Sequence, residues 1–463
     1  MARAPKIGLL PLYLKLYDDL MPECRSEFDP FLAEIGAGFG QRGIDVIQCQ
    51  VCRVRAEFEQ AVDHLESAGV DLIVTVHLAY SPSLEAVEAL TETELPLLLL
   101  DTTMDRDFGK DVDAARIMYN HGIHGVQDLA CMLRRLGKPF QIVAGHLGSS
   151  AVMDRAADIG RAAFAAQCLA DSRTLRLGPA FVGMGDFAVD EDVLESELGI
   201  TVDEITRLDL QEAATAVSAA AIKAEMASDL QRFAADISPT AHRRSVRVGL
   251  GLRALLERGG YSAFSMNFLA FDSATGAANV VPFLEASKAM ARGIGYAGEG
   301  DVLTASLVGA LAAAFGRTTF TEIFCPDWQG NSLFLSHMGE ISPDVIAGTP
   351  TLIEKPYPFS AALNPAMICG APAAGPAILV NLAPGPDNRF GLIVARVEVL
   401  GDTDNASLQG AVRGWIRPAG DLAGFLEAYS RHGGTHHSAL VMGDRLEGIA
   451  AFADFAGLEC VTL

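Results

Sequence analysis

Asp71-Leu72-Ile73-Val74-Thr75-Val76-His77-Leu78, followed at a short distance by Ser81-Pro82-Ser83 and then by Pro96-Leu97-Leu98-Leu99-Leu100, decides the fold of the first part of this chain. Both apolar runs are nearly continuous, as in strands buried on both faces. Between them residues 84–93 have helical spacing, with Ser81 as N-cap and Pro82 in the early turn. Strand, helix and strand in that order is the unit of a parallel sheet covered on both sides. Outward from it the same unit recurs. Strands are expected at 6–12, 44–51 and 140–144, and helices at 28–39, 55–67, 126–136 and 153–169. Ligands of such sheets sit at the carboxyl ends of the strands, which places His77, Asp101 and His146 on a rim.

The stretch 170–176 reads as a first boundary, and a second α/β region follows. Its long helices are expected at 210–227 and 241–258, a strand at 261–268, and helices at 283–292 and 302–315. After Gly316 the character changes. Residues 318–324, 332–335, 377–382 and 390–400 read as strands, with Pro384-Gly385-Pro386-Asp387-Asn388 as a hairpin loop. The expectation is an α/β protein of three domains: Rossmann-like parallel-sheet units at 1–172 and 173–316, then a mainly β, barrel-like unit at 317–463.

Bulk properties narrow the function. Half of the 463 residues are hydrophobic, so several cores are available. A formal charge of −23 disfavours nucleic acid and anionic membranes as partners. No segment approaches the roughly 20 apolar residues that cross a bilayer, and the N-terminus lacks a signal-peptide pattern. A cytoplasmic location is therefore expected. The eight cysteines are scattered. Cys49 and Cys52 form a Cys-x-x-Cys inside a strand-like run with no second pair, so they read as buried thiols rather than a zinc or redox site.

Four polar islands in the last third carry the chemistry: Gly298-Glu299-Gly300-Asp301, Phe320-Thr321-Glu322, Ser336-His337-Met338 and Gly433-Gly434-Thr435-His436-His437. Apolar or small residues flank each, a setting in which charge is paired or bound to a metal. Two carboxylates and two imidazoles suit Mn²⁺, Co²⁺ or Mg²⁺ better than thiophilic ions. The glycine loop also reads as a cap for the following helix. By strand alternation Phe320, Glu322 and Phe324 share a face. The same alternation sends His436 and His437 to opposite sides, so that one ligates and the other meets substrate.

The runs Gly293-Ile294-Gly295-Tyr296-Ala297-Gly298-Glu299-Gly300-Asp301, Ser336-His337-Met338-Gly339-Glu340 and Gly433-Gly434-Thr435-His436-His437 resemble those of bacterial L-arabinose isomerases, relatives of L-fucose isomerase. Tyr119-Asn120-His121-Gly122-Ile123-His124-Gly125 and Met184-Gly185-Asp186 are similar to further segments of that family. The resemblance implies a Mn²⁺ site built by Glu299, Glu322, His337 and His437, with Co²⁺ or Mg²⁺ as substitutes. Glu299 and Glu322 would be the acid/base pair of an aldose–ketose isomerase, and Tyr17, His124, Met184 and His436 substrate contacts. It also implies a homo-oligomer, trimer or hexamer, whose active site forms between subunits. The N-terminal segment departs from the family. Pro11-Leu12-Tyr13-Leu14-Lys15-Leu16-Tyr17-Asp18 stands where relatives carry Gly-Ser-Gln-His-Leu-Tyr-Gly, and this leaves room for a sugar other than L-arabinose, deoxy or anionic, with Lys15 on the rim. An isomerase or epimerase of another sugar, or a metal-free sugar-binding regulator, are the competing readings. A nicotinamide enzyme fails for want of Gly-x-Gly-x-x-Gly after the first strand.

Overall fold

Strands and helices alternate as expected through residues Arg3–Phe164, the first of two units of the computed structural model, which describes residues 3–274, 276–402 and 405–463. Here β1 (Lys6–Leu12), β2 (Asp45–Gln48), β3 (Leu72–His77), β4 (Leu97–Asp101) and β5 (Gln141–Ala144) form a parallel sheet in the order β2-β1-β3-β4-β5. Leu72 to Val76 are buried, as a strand covered on both faces requires. Helices Arg55–Ser67, Ser83–Glu92 and Ile123–Leu136 close one face through Phe58, Val62, Val87, Leu129 and Leu133. The cap of the second of these helices differs from expectation. The helix begins at Ser83 and Ser81 Oγ has no partner among the described residues. Asp128 instead accepts from Ser83 N at 3.0 Å and Ser83 Oγ at 2.9 Å. A carboxylate from a distant helix outcompetes the local hydroxyl.

The second unit, Ala165–Leu463, holds three sheets. β6 (Arg173–Leu177), β7 (Thr201–Ile205), β9 (Ala263–Met266) and β10 (Gly295–Gly298) are parallel in the order β10-β9-β6-β7. The stretch 170–176, read as a boundary, is mostly strand β6. Its Arg173 and Arg176 hide it from a hydropathy reading, yet they pair with Asp203, Glu191 and Glu204. The single helix expected at 210–227 is two, Arg207–Ala216 and Ala219–Arg232, the second capped by Ser218 Oγ accepting from Ala221 N at 3.1 Å. A small sheet joins β8 (Ala234–Asp236), β13 (Thr351–Glu354) and β14 (Ala366–Cys369).

The remaining strands are β11 (Thr318–Asp327), β12 (Ser332–Ser336), β15 (Gly375–Pro384), β16 (Phe390–Val399), β17 (Gly414–Pro418), β18 (His437–Met442) and β19 (Glu459–Thr462). The order β15-β18-β11-β12-β17-β16 closes on itself through β15–β16 pairing, and β19 adds in parallel to β16. This is a closed antiparallel barrel, so two parallel-sheet regions precede a β-barrel as expected. β15 and β16 are the expected hairpin, joined through the turn after Pro384.

Helix Val302–Phe315 links the barrel to the parallel sheet, contacting β9 and β10 on one side and β11 and β18 on the other. Its apolar residues run all the way round because nearly all of it is buried. Gly295 lets it sit directly on β10: a Cβ there would press on the Ala305 carbonyl and on Gly309.

Candidate metal and acid/base site

The site forms where the amino end of helix Val302–Phe315 meets the barrel. β10 ends at Gly298 and the chain turns sharply. Glu299 takes the left-handed conformation at φ 66°, a cost of about 1–3 kcal/mol outside glycine and a mark of functional sites. Its backbone is fixed on both sides, N–H donating to Met266 O at 2.8 Å and O accepting from Phe181 N at 2.9 Å. Asp301 caps the helix as expected, Oδ1 accepting from Thr304 N at 2.8 Å. It does a second thing that the sequence reading missed: its Oδ2 accepts from His437 Nδ1 at 2.9 Å.

Strand pairing brings the other groups together. Glu322 on β11 lies opposite His437 on β18 and Ser336 on β12, so His337 follows directly beside it. A bulge between Ile323 and Cys325 breaks the alternation. Phe320 is therefore buried and Phe324 exposed, against the expectation that they share a face with Glu322. Phe320 lies edge-on to both His337 and His437, at ring distances of 4.7 and 4.9 Å.

His337 is held like His437. Its Nδ1 is 2.8 Å from Glu340 Oε2, and Glu340 also accepts from Gly339 N at 2.7 Å and Tyr296 OH at 2.6 Å. Each buried imidazole thus commits Nδ1 to a buried carboxylate. Their Nε2 atoms make no hydrogen bond among the described residues. A carboxylate behind each histidine is the arrangement that fixes the tautomer of a metal ligand.

The two consecutive histidines do not face apart. His436 lies in a bend before β18, 4.1 Å ring to ring from His437, and both Nε2 atoms are 3.6 Å from Glu299 Oε2. Asp186 Oδ2 accepts from His436 N at 2.9 Å and lies 2.6 Å from its Nδ1. Phe187 stacks on His437 at 5.3 Å, planes 13° apart. Ligand atoms of Glu299, His436 and His437 fall within 4.8 Å of one another, as do those of Glu322, His337 and His437. The four expected ligands are therefore gathered as two triads sharing His437, with His436 added to one.

The environments push the two glutamates in opposite directions. Burial raises Glu299, but the nearby His436 imidazole, with those of His437 and His337, outweighs it and holds the carboxyl below its usual range. Burial dominates at Glu322, which is raised. Burial lowers His436, yet Glu299 and Asp186 more than reverse this and push it up to about 9. His337 is also raised, Glu340 overcoming burial.

Not every expected contact joins this cluster. Met184 is half-buried with its amide 3.3 Å from Phe181 O; Asp186, two residues on, is what reaches His436. Tyr17 and His124 belong to the first unit. There Tyr17 OH meets His121 Nε2 at 3.2 Å, and His124 is exposed with its ring 5.9 Å from His121. Lys15 is no free cation for a substrate: it pairs with Asp19 at 2.8 Å along its own short helix. His77 reaches the rim as expected but is buried there.

Comparison with known proteins identifies a family. Models of the L-arabinose isomerase N-terminal, central and C-terminal domains match residues 43–171, 183–315 and 317–459. L-arabinose isomerase 1 of Bacillus licheniformis is 30% identical over 89% of this chain and 83% of its own length. The chain belongs to the L-arabinose isomerase family. It is accordingly an enzyme of the aldose–ketose isomerase type, in a family that generally depends on a metal. The L-arabinose isomerase of a Nocardioides species is also 30% identical, over 85% of this chain and 80% of its own. A solute-binding protein of Agrobacterium vitis, bound with tagatopyranose, aligns over 61% of this chain and 87% of its own, at 15% identity and a TM-score of 0.16. A likeness at that score carries no argument for a sugar receptor. No helix among the described residues is long and apolar enough to cross a membrane.

Proposed function

We propose that this isomerase interconverts an unphosphorylated aldose with its ketose, L-arabinose being the first candidate, by moving a proton between C1 and C2 beside a divalent cation. The observation that carries the metal is that the buried Nε2 atoms of His337 and His437 make no hydrogen bond among the described residues and lie next to two carboxylates. Oxygen and neutral-nitrogen donors in that mixture fit Mn²⁺, with Co²⁺ or Mg²⁺ as substitutes. Glu299, Glu322, His337 and His437 would hold it. A divalent cation held there would supply Lewis-acid polarisation of the sugar carbonyl.

The protein's own part is proton transfer. In the aldose-to-ketose direction a carboxylate takes the proton from C2 and returns it to C1, while a second group moves the hydroxyl proton from O2 to O1. Glu299 and Glu322, gathered in the same cluster, are the two groups that fill these roles. His436, half-exposed beside Glu299, is positioned to contact the sugar.

The proposal extends to a cytoplasmic homo-oligomer, trimer or hexamer, with domains at 1–172, 173–316 and 317–463. In it Tyr17 and His124 of one copy would meet the sugar of another. Light scattering that returns a monomer at working concentration would remove this part. The reaction itself is tested with a panel of aldoses and ketoses and each of the three metals. Product from L-arabinose supports the full reading, and product from another aldose alone moves the specificity. No ketose from any aldose would overturn it. Solvent deuterium on C1 or C2 of the product supports proton transfer over a hydride shift.

A further inference from the structure

Three histidines surround Glu299 and Glu322, and each has a carboxylate at Nδ1, but the third pair is built differently. Asp301 and Glu340 are fully buried, as are the rings they hold. The His436 and Asp186 side chains keep 31% and 35% of their surface. His436 is therefore the imidazole of the three that an entering solute can touch. One oxygen of Asp186 takes both the backbone N–H of His436 and its ring Nδ1. Two attachments from one atom leave the ring little freedom to flip. The next residue, Phe187, covers His437 face-on and tilts against His436 at 5.6 Å. Residues 186 and 187 together brace both histidines from a loop some 250 positions earlier in the chain.

From this we infer that Asp186 is a positioning residue, fixing His436 with Nδ1 turned away and Nε2 toward Glu299 and the sugar, while His436 stays outside the metal's ligand set. The inference rests on the isomerase reading for its consequence in turnover, though not for the clamp itself. The clamp is geometric, and this separates two substitutions. Asp186→Ala removes the acceptor. Asp186→Asn keeps one, because both partners are donors and the amide must turn its oxygen toward them.

The test compares the wild type with Asp186→Ala, Asp186→Asn and His437→Gln in three readouts: turnover, Mn²⁺ titration, and imidazole NMR of ¹⁵N-histidine-labelled metal-free protein, with His436 assigned by its loss in His436→Gln. Asp186→Ala should lower kcat about 10- to 100-fold, the scale for a misplaced active-site group, with KM within about threefold. It should leave Mn²⁺ affinity within about threefold and abolish the slowly exchanging His436 Nδ1–H signal, effects smaller than the loss of affinity in His437→Gln. Asp186→Asn should restore most of the loss and the signal. An Asp186→Ala protein with wild-type kcat and an intact Nδ1–H signal would overturn the inference. So would one that loses Mn²⁺ affinity as His437→Gln does, which would make His436 a ligand. Equal losses in the Ala and Asn variants would overturn it as well, assigning Asp186 a charge role. If the wild type isomerises no sugar, the NMR and metal readouts still decide the clamp.

Discussion

Two buried histidine environments in this chain make an instructive pair. At the carboxyl rim of the first unit, His77 ends β3 and is buried, with neither ring nitrogen partnered among the described residues. Gly125 of helix Ile123–Leu136 packs directly against its ring. Burial outweighs the opposing pull of the Asp128 carboxylate and pushes its pKa down to about 3, so it stays neutral. In the second unit His337 and His437 are buried as deeply, but each has a carboxylate on Nδ1 and a second carboxylate near Nε2. A lone buried imidazole is a core residue. An imidazole with its tautomer fixed from behind is ready to ligate. The carboxylate at the back, rather than burial, makes the difference.

Breaking the acid/base pair should have the largest effect. Glu299→Gln and Glu322→Gln should each cut kcat by about 10²–10⁴-fold, the usual worth of a general acid or base, with the fold intact by circular dichroism. Near-normal turnover in both would end the assignment. The next effect sharpens the comparison directly: Glu340→Gln and Asp301→Asn should weaken Mn²⁺ binding about 10- to 100-fold by calorimetry, although neither is a proposed ligand.

His77 should respond oppositely. His77→Leu should leave Mn²⁺ affinity unchanged and alter the pH dependence of stability. The folded pKa lies below the unfolded value of about 6.5, so the stability tied to neutral His77 is complete above that value. It falls away as the pH drops toward 3. At pH 5 the loss amounts to about 2 kcal/mol, and thermal melts of the variant should lack this component. An identical acid response in both proteins would contradict the account. The smallest effect is expected at Lys15, whose charge is spent on exposed Asp19. Lys15→Ala should change KM less than about twofold, since exposed pairs contribute little.

The parallel sheets and the barrel were legible because their strands are apolar, as in Leu72–Val76 and Ile378–Leu382, or bounded by turn residues such as Pro384 to Asn388. Other strands were not: β7, β8, β13, β14 and the barrel strands β17, β18 and β19 went unread, as did β6 and β10. Of the last two, β6 carries two arginines neutralised across the sheet, and β10 is glycine-rich because a helix lies against it. The site islands could be read since Glu299, Glu322, His337 and His437 sit in polar interruptions of apolar sequence. Their supports were harder to see. Asp301 looked like a helix cap and is one, while its bond to His437 joins residues 136 positions apart. Glu340 was inside a quoted motif, and its spacing of three from His337 was the available signal. Asp186 gave only an acidic residue after a glycine. The bend at His436 and the bulge at Ile323 both defeat simple alternation, and each arises from contacts distant in sequence.

The central claim is that imidazoles and carboxylates of the second unit hold one divalent cation. Calorimetric titration of EDTA-treated protein with Mn²⁺, run beside His337→Gln and His437→Gln, tests it most directly. The account predicts one ion per chain in the wild type and at least a tenfold loss of affinity in each variant. Equal binding in all three proteins, or none in the wild type, would contradict it.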